Sequence, residues 1–290
     1  MRPPCGAQPS PSITPVKLRT LAAAVVVAAG ALAPGARAQT PVVAPPPPPG
    51  PVSALRIDIN IPENRLRVYD GDSLLKVYRV SVGLPGHDTP DGEFTIDHAE
   101  WNPWWRPPAR EWAKDDHVTP PGPNNPMGRV KLFFAPYYYI HGSPHVRELG
   151  TAASHGCVRM MNADVVELAR LIHARNGGSV SNAEITRLLA RPSQTRASRI
   201  ATPVPLLLRY DPIVVTDGEL RIYKDVYSRS RVHTEAVIQA LIAAGYDPAS
   251  VDRAEVRRVL SRASAARSTF VVKLTDAFAG LRAPETVAAQ

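Results

Sequence analysis

Within Ser154-His155-Gly156-Cys157-Val158-Arg159 the chain sets a thiol, an imidazole, a glycine and a guanidinium in six consecutive positions. A second His-Gly pair, His141-Gly142, lies fourteen residues before His155. A cysteine attacks a carbonyl as its thiolate, and a free thiol with a pKa of about 8.5 needs a base or a cation beside it at neutral pH. His155 is two residues from Cys157 and shares its turn, which constrains how it can meet the sulfur; it is expected to support the site. His141 closes a separate strand, has more geometric freedom, and is the expected base. Gly156 permits a turn that a side chain would oppose. Such a turn can aim the Gly156 and Cys157 amides at one point, as an oxyanion hole. Arg159 can hold a substrate carboxylate by a bidentate pair.

Other histidines do not build a metal site. His141 and His145 have H-x3-H spacing, but Pro144 stands between them, the context is strand and loop, and no Cys-x-x-Cys accompanies them. No metal and no cofactor are expected. His98, His117 and His173 have no partner in sequence and are expected to be surface groups.

The N-terminal composition bears on why the thiol is free. Residues 1–20 carry Arg2, Lys17 and Arg19 and no acidic side chain, Leu21 to Leu32 is almost purely Ala, Val and Leu, and Ala36-Arg37-Ala38 fits a small-x-small cleavage pattern. Together these describe a secretory signal peptide over 1–38. The apolar run is short of the ~20 residues a spanning helix needs. Exported proteins use cysteines mainly in pairs. Here cleavage would remove Cys5 and leave Cys157 alone, which points to a reactive thiol. The formal charge of +8 includes Arg2, Lys17, Arg19 and Arg37; without these four it falls to +4. With no dense Lys/Arg run, a nucleic-acid partner is not expected. The expected location is the periplasm or cell envelope.

Several elements must position the site. Pro45 to Pro49 mark a stiff linker over 39–52. From Leu55 to Val82 a period of two, punctuated by Pro62-Glu63-Asn64 and Asp70-Gly71-Asp72, predicts a β-meander. A turn at Thr89–Gly92 leads into a short strand, Phe94 to Ile96. Residues 101–128 hold all four tryptophans and no period; they predict a long ordered loop of functional use, with at least two tryptophans plugging the domain. Lys131 to Ile140 predicts a strand or strand pair ending at His141. Asn162 is expected to cap a helix to about His173, and Ser181 with Glu184 forms a capping box for a second one. Pro205 to Ile213 and Gly218 to Tyr223 predict a strand pair. Val232 to Ala244 and Val251 to Ala263 predict two more helices.

His141-Gly142-Ser143-Pro144 and Ser154 to Arg159 together resemble the signature of the L,D-transpeptidases, the YkuD-type catalytic domain of bacterial cell-wall enzymes. Gly83, Thr89 to Phe94, Asn102-Pro103-Trp104-Trp105, Pro121 to Gly128 and Asn162 to Leu171 follow in matching order. The resemblance covers about residues 53–180, and the strands at 203–228 resemble an extension found in part of the family. It implies an α+β fold: a predominantly β-sandwich catalytic domain over 53–228 with packed helices. Residues 229–290, which match nothing in the family, are expected to be a small, mostly helical C-terminal extension. Ser143-Pro144 departs from the family, where Thr commonly follows His-Gly.

The resemblance also implies a reaction on peptidoglycan stem peptides. Cys157 would attack the carbonyl of the third residue, usually diaminopimelate, release D-alanine and hold a thioester. The side-chain amine of a second stem would resolve it into a 3-3 cross-link. His141 would be the base, oriented by a main-chain carbonyl just after it, and carbapenems would acylate Cys157. The expected site is thus Cys157, His141, His155 and Gly156 for catalysis, with Arg159, Ser154, Gly142, Ser143 and Trp105 facing substrate. An envelope lipoprotein is a second class of acceptor. Two other readings stay open at this point. One is a hydrolase passing the same thioester to water, as an L,D-carboxypeptidase or an amidase releasing wall-linked protein. The other is a non-catalytic peptidoglycan-binding module that uses the tryptophans.

Overall fold

The computed structural model describes residues 55–282. The expected signal peptide (1–38) and proline-rich linker (39–52) lie outside the described residues. Among those described, no helix is long and apolar enough to cross a membrane.

Alternation of apolar and polar residues builds the first strands, β1 (Leu55–Asn60), β2 (Arg65–Asp70) and β3 (Ser73–Arg79). A two-residue β4 (Val82–Gly83) follows, and then β5 (Gly92–Trp101), much longer than its predicted core. Beyond the tryptophan-rich loop come β6 (Val130–Ala135) and β7 (Tyr138–Ser143), the expected strand pair. The short β8 (Ala152–Ser154) and β9 (Val158–Met161) bracket the cysteine turn. Two helices succeed them, α1 (Asn162–Asn176) and α2 (Asn182–Ala190), before β10 (Arg196–Arg209).

Eight of these strands join in one mixed sheet of order β3-β2-β1-β10-β5-β6-β7-β9, while β4 pairs with β8 alone. The α+β class holds. Where a sandwich of two sheets was expected, the large ladder is continuous. β10 is its hinge: fourteen residues long, parallel to β1 on one side and antiparallel to β5 on the other. Its register breaks between Arg199 and Val204, where Pro203 cannot donate to a ladder. That bulge lets a proline-bearing segment serve as a central strand, whereas the prolines had placed its start at 205.

α1 lays Val165, Leu168, Ala169 and Ile172 on the sheet core and stops at Gly177, whose φ of +71° ends the helix. Met161, not Asn162, is its N-cap residue. The Asn162 side chain turns back instead, with Oδ1 accepting from the Arg129 amide at 2.9 Å and Nδ2 donating to the Ser143 carbonyl at 3.5 Å. Ser181 caps α2 as predicted, accepting from the Glu184 amide at 3.2 Å.

A second core begins earlier than residue 229 and is less helical than expected. It unites β11 (Ile213–Thr216), β12 (Glu219–Ile222), α3 (Thr234–Ala243), α4 (Arg253–Ala265), β13 (Phe270–Lys273) and α5 (Leu274–Ala277). β12 is sandwiched between β11 and β13. The segment 218–223 therefore does not pair with 205–209, which belongs to the large sheet. Leu220 and Ile222 bury their side chains with Val237, Leu241, Val256 and Val272, so the strands at 213–222 need the C-terminal helices for cover.

His173 is not at the surface. It is buried, bonding the Ala169 carbonyl through Nδ1 and Ser198 Oγ through Nε2, both at 2.8 Å. Trp101, fully buried, donates Nε1–H to the same Ser198 oxygen at 2.9 Å. This tryptophan plugs the domain, but it is the one buried tryptophan rather than one of two, since Trp104 is exposed and Trp105 and Trp112 are half-buried.

Asn102 joins three segments. It holds φ at +47°, tolerable for asparagine. Its Nδ2 lies 2.8, 3.2 and 2.9 Å from the carbonyls of Leu188, Arg191 and Gln194, and Oδ1 accepts from Arg129 Nε at 3.0 Å. Asn102→Ala strands these buried groups and is expected to cost about 2–3 kcal/mol, read as a lower denaturant midpoint with unchanged slope.

Candidate active site

The period of two that built the core also builds the site. Along β7, Ile140 enters the core while Tyr139 and His141 face the opposite side, and along β9 Val158 and Met160 enter the core while Arg159 faces the opposite side. On β6, Leu132 and Val130 are core and Lys131 is not. Lys131, Tyr139, His141, Cys157 and Arg159 therefore line one cleft of about 1540 Å³.

Register turns these faces into a row. Glu100 pairs with Lys131, Lys131 with His141, and His141 with Arg159. Lys131 Nζ lies 2.7 Å from Glu100 Oε2, and at the other end Arg159 Nη1 lies 2.6 Å from Glu148 Oε2. The sequence across the sheet is anion, cation, imidazole, cation, anion.

His141 is 2% exposed. Its Nδ1 sits 2.7 Å from the Gly142 carbonyl. A carbonyl oxygen only accepts, so Nδ1 carries the proton and Nε2 the lone pair. Burial, and then the charges of Arg159 and Lys131, push its pKa down to about 3 against the lift from that carbonyl. The imidazole is a neutral acceptor at any physiological pH.

Cys157 is a free thiol whose Sγ–H donates to the Tyr137 carbonyl at 3.7 Å. Burial pushes it up to about 11, opposed by the Tyr139 amide and by Arg159 and Lys131. The resting state is thus a neutral thiol and a neutral base lining the same cleft.

The turn before Cys157 is held from inside. Gly156 has φ +108°, and a Cβ there would lie 2.7 Å from the Tyr138 ring. Ser154 Oγ donates to the Cys157 carbonyl at 2.6 Å and accepts from the Gly156 amide at 3.1 Å. In this geometry the Gly156 amide serves the turn, and Ser154 is a turn former. The Gly156 carbonyl accepts from Thr89 Oγ1 at 2.9 Å, and the Thr89 amide donates to Tyr227 Oη at 3.0 Å. Arg229 fixes the same loop through Asp91 at 2.8 Å and Asp88 at 3.3 Å.

Gly142 and Ser143 lie behind the base. A Cβ on Gly142 would meet Asn162 Oδ1 at 2.2 Å, and Ser143 Oγ accepts from the His145 amide at 3.1 Å. His155 is at the exposed rim, stacked on Trp112 at 3.9 Å and edge-on to His87 at 4.7 Å. Trp112 in turn lies 6.4 Å from Trp105, so this ring series joins the loop after β5 to the cysteine turn. That loop is ordered around Asn125, whose Nδ2 lies 3.0 Å from each of the Pro103, Thr119 and Pro120 carbonyls.

Lys131, Glu100, Glu148 and Tyr227 were not found from sequence, and Thr89 only as part of a matching turn with no role assigned. Each enters through pairing with a distant segment. A period of two with Lys131 on the face of His141 was the available signal. Among the described residues no group of acidic, histidine and cysteine side chains could hold a metal ion.

The sequence model described as the L,D-transpeptidase catalytic domain, YkuD, matches residues 54–204, just over half of the chain. "Probable L,D-transpeptidase YbiS" of Escherichia coli K12 is 36% identical over 118 residues, 38% of this chain and 39% of that protein. "Probable L,D-transpeptidase YcfS" of the same strain is 30% identical over 185 residues, 58% of each. The chain spans 38% to 64% of the length of the curated relatives it matches first. Among solved structures, an L,D-transpeptidase from Mycobacterium smegmatis aligns at 14% identity and TM-score 0.35, covering 54% of this chain and 59% of that one. The catalytic domain of an Enterococcus faecium L,D-transpeptidase aligns at 16% and 0.35, covering 55% and 100%.

Two measurements check the site. Iodoacetamide alkylation of Cys157 is expected to be slow at pH 7 and to accelerate about tenfold per pH unit toward pH 10, as for a protonated thiol; a rate flat with pH would instead reveal a preformed thiolate–imidazolium pair. Thr89→Val, which keeps shape but loses the bonds to Gly83 and Gly156, is expected to slow acylation of Cys157 while remaining folded, and Thr89→Ser to restore it.

Proposed function

The chain belongs to the YkuD family of L,D-transpeptidase catalytic domains, and from that membership we propose that it is a cysteine acyltransferase acting on peptidoglycan stem peptides. The observation that carries the reading is the Nδ1 bond of His141 to Gly142, which reserves Nε2 as a proton acceptor in the cleft that Cys157 also lines.

The reaction proceeds in two balanced halves. Cys157 Sγ attacks the carbonyl of the third stem residue as its proton passes to His141 Nε2. Because the resting thiol is protonated, transfer accompanies C–S bond formation rather than preceding it. The Cys157 amide is the oxyanion donor, since the Gly156 amide bonds Ser154. Collapse breaks the amide bond, and His141 returns the proton to the departing D-alanine amine. A thioester remains. An acceptor amine then attacks it, His141 takes the amine proton, and Cys157 leaves and is reprotonated. With the side-chain amine of a second stem as acceptor the product is a 3-3 cross-link.

Arg159 contributes beyond its bond to Glu148. One guanidinium nitrogen makes that bond, and the others remain to meet a donor carboxylate on the cleft side. The loop carrying Trp105 and Trp112 walls the cleft and limits water, which competes with the amine for the thioester. Export to the periplasm or envelope fits this substrate and rests on the composition of residues 1–38.

Incubation with a disaccharide tetrapeptide is expected to give a mass adduct equal to the donor minus D-alanine on Cys157, resolved to a cross-linked product when a second stem is added. Cys157→Ala is expected to lose both, and a carbapenem to block both. Adduct formation followed only by hydrolysis, whatever amine is supplied, would move the assignment to a carboxypeptidase. No adduct with either donor or carbapenem would leave a binding module.

A further inference from the structure

The acyl-transfer reading makes use of one cation in the cleft floor, yet the floor holds two. Lys131 and Arg159 flank His141 in register, one on each neighbouring strand. Both line the cleft with Cys157, and their side chains are only 12% and 20% exposed. Burying a lysine is costly unless it is paired, and Glu100 supplies one partner at 2.7 Å. An ammonium has three donors. The Phe133 and Tyr139 rings, each 5.2 Å from Nζ, add a cation–π cradle that needs no proton. Lys131 thus keeps donor capacity on the cleft side. Asp88, Glu111 and Asp116 occur elsewhere along the cleft wall, so the pair is a local feature suited to discrete carboxylates rather than to a polyanion.

We infer that Lys131 is a second carboxylate-binding residue, which selects donors whose acyl residue bears a side-chain carboxylate, as diaminopimelate does. This rests on the acyl-transfer reading and names what that site selects. Reach assigns the roles. Arg159 follows Cys157 by two residues on an extended segment, about 7 Å along the chain, and suits the leaving residue's terminal carboxylate, which lies three bonds from the scissile carbonyl carbon. Lys131 sits two strands away from β9, about 10 Å across the sheet. It suits the far carboxylate of diaminopimelate, six bonds from the same carbon. That carboxylate stays with the thioester, so Lys131 holds the acyl residue through both halves of the reaction.

The test compares kcat/KM for thioester formation with two tetrapeptide donors, one with diaminopimelate and one with its side-chain carboxylate converted to the amide. The wild type is expected to prefer the carboxylate donor by about tenfold or more, the scale of one charge-assisted hydrogen bond. Lys131→Met is expected to bring that ratio close to one, and Lys131→Arg to preserve it. Glu100→Gln releases Lys131 from its internal partner and is expected to lower KM for the carboxylate donor; a merely structural ion pair would lower only thermal stability. Should Lys131→Met fail to fold, Lys131→Arg and Glu100→Gln carry the test. A wild type without preference, or a Lys131→Met enzyme that forms the thioester with the ratio intact, overturns the inference. No thioester with either donor in the wild type sinks the acyl-transfer reading itself, and the role of Lys131 with it.

Discussion

Everything at this site is referred to one row of residues across four strands, Glu100, Lys131, His141 and Arg159, closed by Glu148. Strands stand about 4.8 Å apart, so a base with a cation on each neighbouring strand feels both charges in a medium that screens them poorly. The outer carboxylates keep those cations from being unpaired buried charges, which would be costly. Burial first, and then these two cations, hold the His141 imidazole in its neutral form. The same two cations work in the opposite direction on Cys157, where they favour the thiolate against burial. The field therefore favours charge on sulfur and disfavours it on the imidazole, and burial disfavours both.

Such a row requires register to be held rigidly, and the packing around glycines holds it. Gly128 and Gly142 face each other with Asn162 Oδ1 wedged between; a Cβ on either would lie 2.2 Å from that oxygen. This close approach fixes β7 against the start of α1 and the segment entering β6. The cysteine turn is fixed from the other side, through Thr89, Tyr227 and Arg229. Tyr227 and Arg229 follow β12, which packs in the second core, and Tyr210 Oη links the two by accepting from the Tyr227 amide at 2.7 Å and donating to Asp225 at 2.6 Å. The C-terminal region is thus coupled to the cysteine turn by bonds and not merely appended.

What could be read in advance divides by distance in sequence. Cys157 and His141, each beside its own glycine, could be singled out from local spacing and line one cleft, whereas Ser154 and Gly156, expected to face substrate and oxyanion, form the turn. The helices α1 and α2 were legible from apolar spacing and, for α2, its capping box. Lys131 and Glu148 were not, because their significance lies in pairing with residues 10 to 31 positions away, and a lysine in an alternating strand reads as solvent-facing. His173 failed for a related reason: its partner Ser198 arrives on β10, a strand that Pro203 and Pro205 disguised. β11 and β12 were recognisable as strands, but only β13, some fifty residues later, shows which core they belong to.

The neutral thiol and neutral base raise the question of what starts the reaction. Burial is the main cause of the lowered His141 pKa, and any carboxylate seated on Lys131 or Arg159 offsets part of the smaller contribution from their charges. On the proposed reading the base would then be stronger with a donor bound than without one. The same carboxylate also weakens the support those cations give to a thiolate, so the gain falls on proton acceptance by the imidazole, the event that accompanies attack. A cleft built this way keeps its one free cysteine protonated and unreactive in the absence of substrate. On the proposed acyl-transfer reading, the anionic groups of a donor would complete the row of charges and tie recognition to activation through the same two side chains.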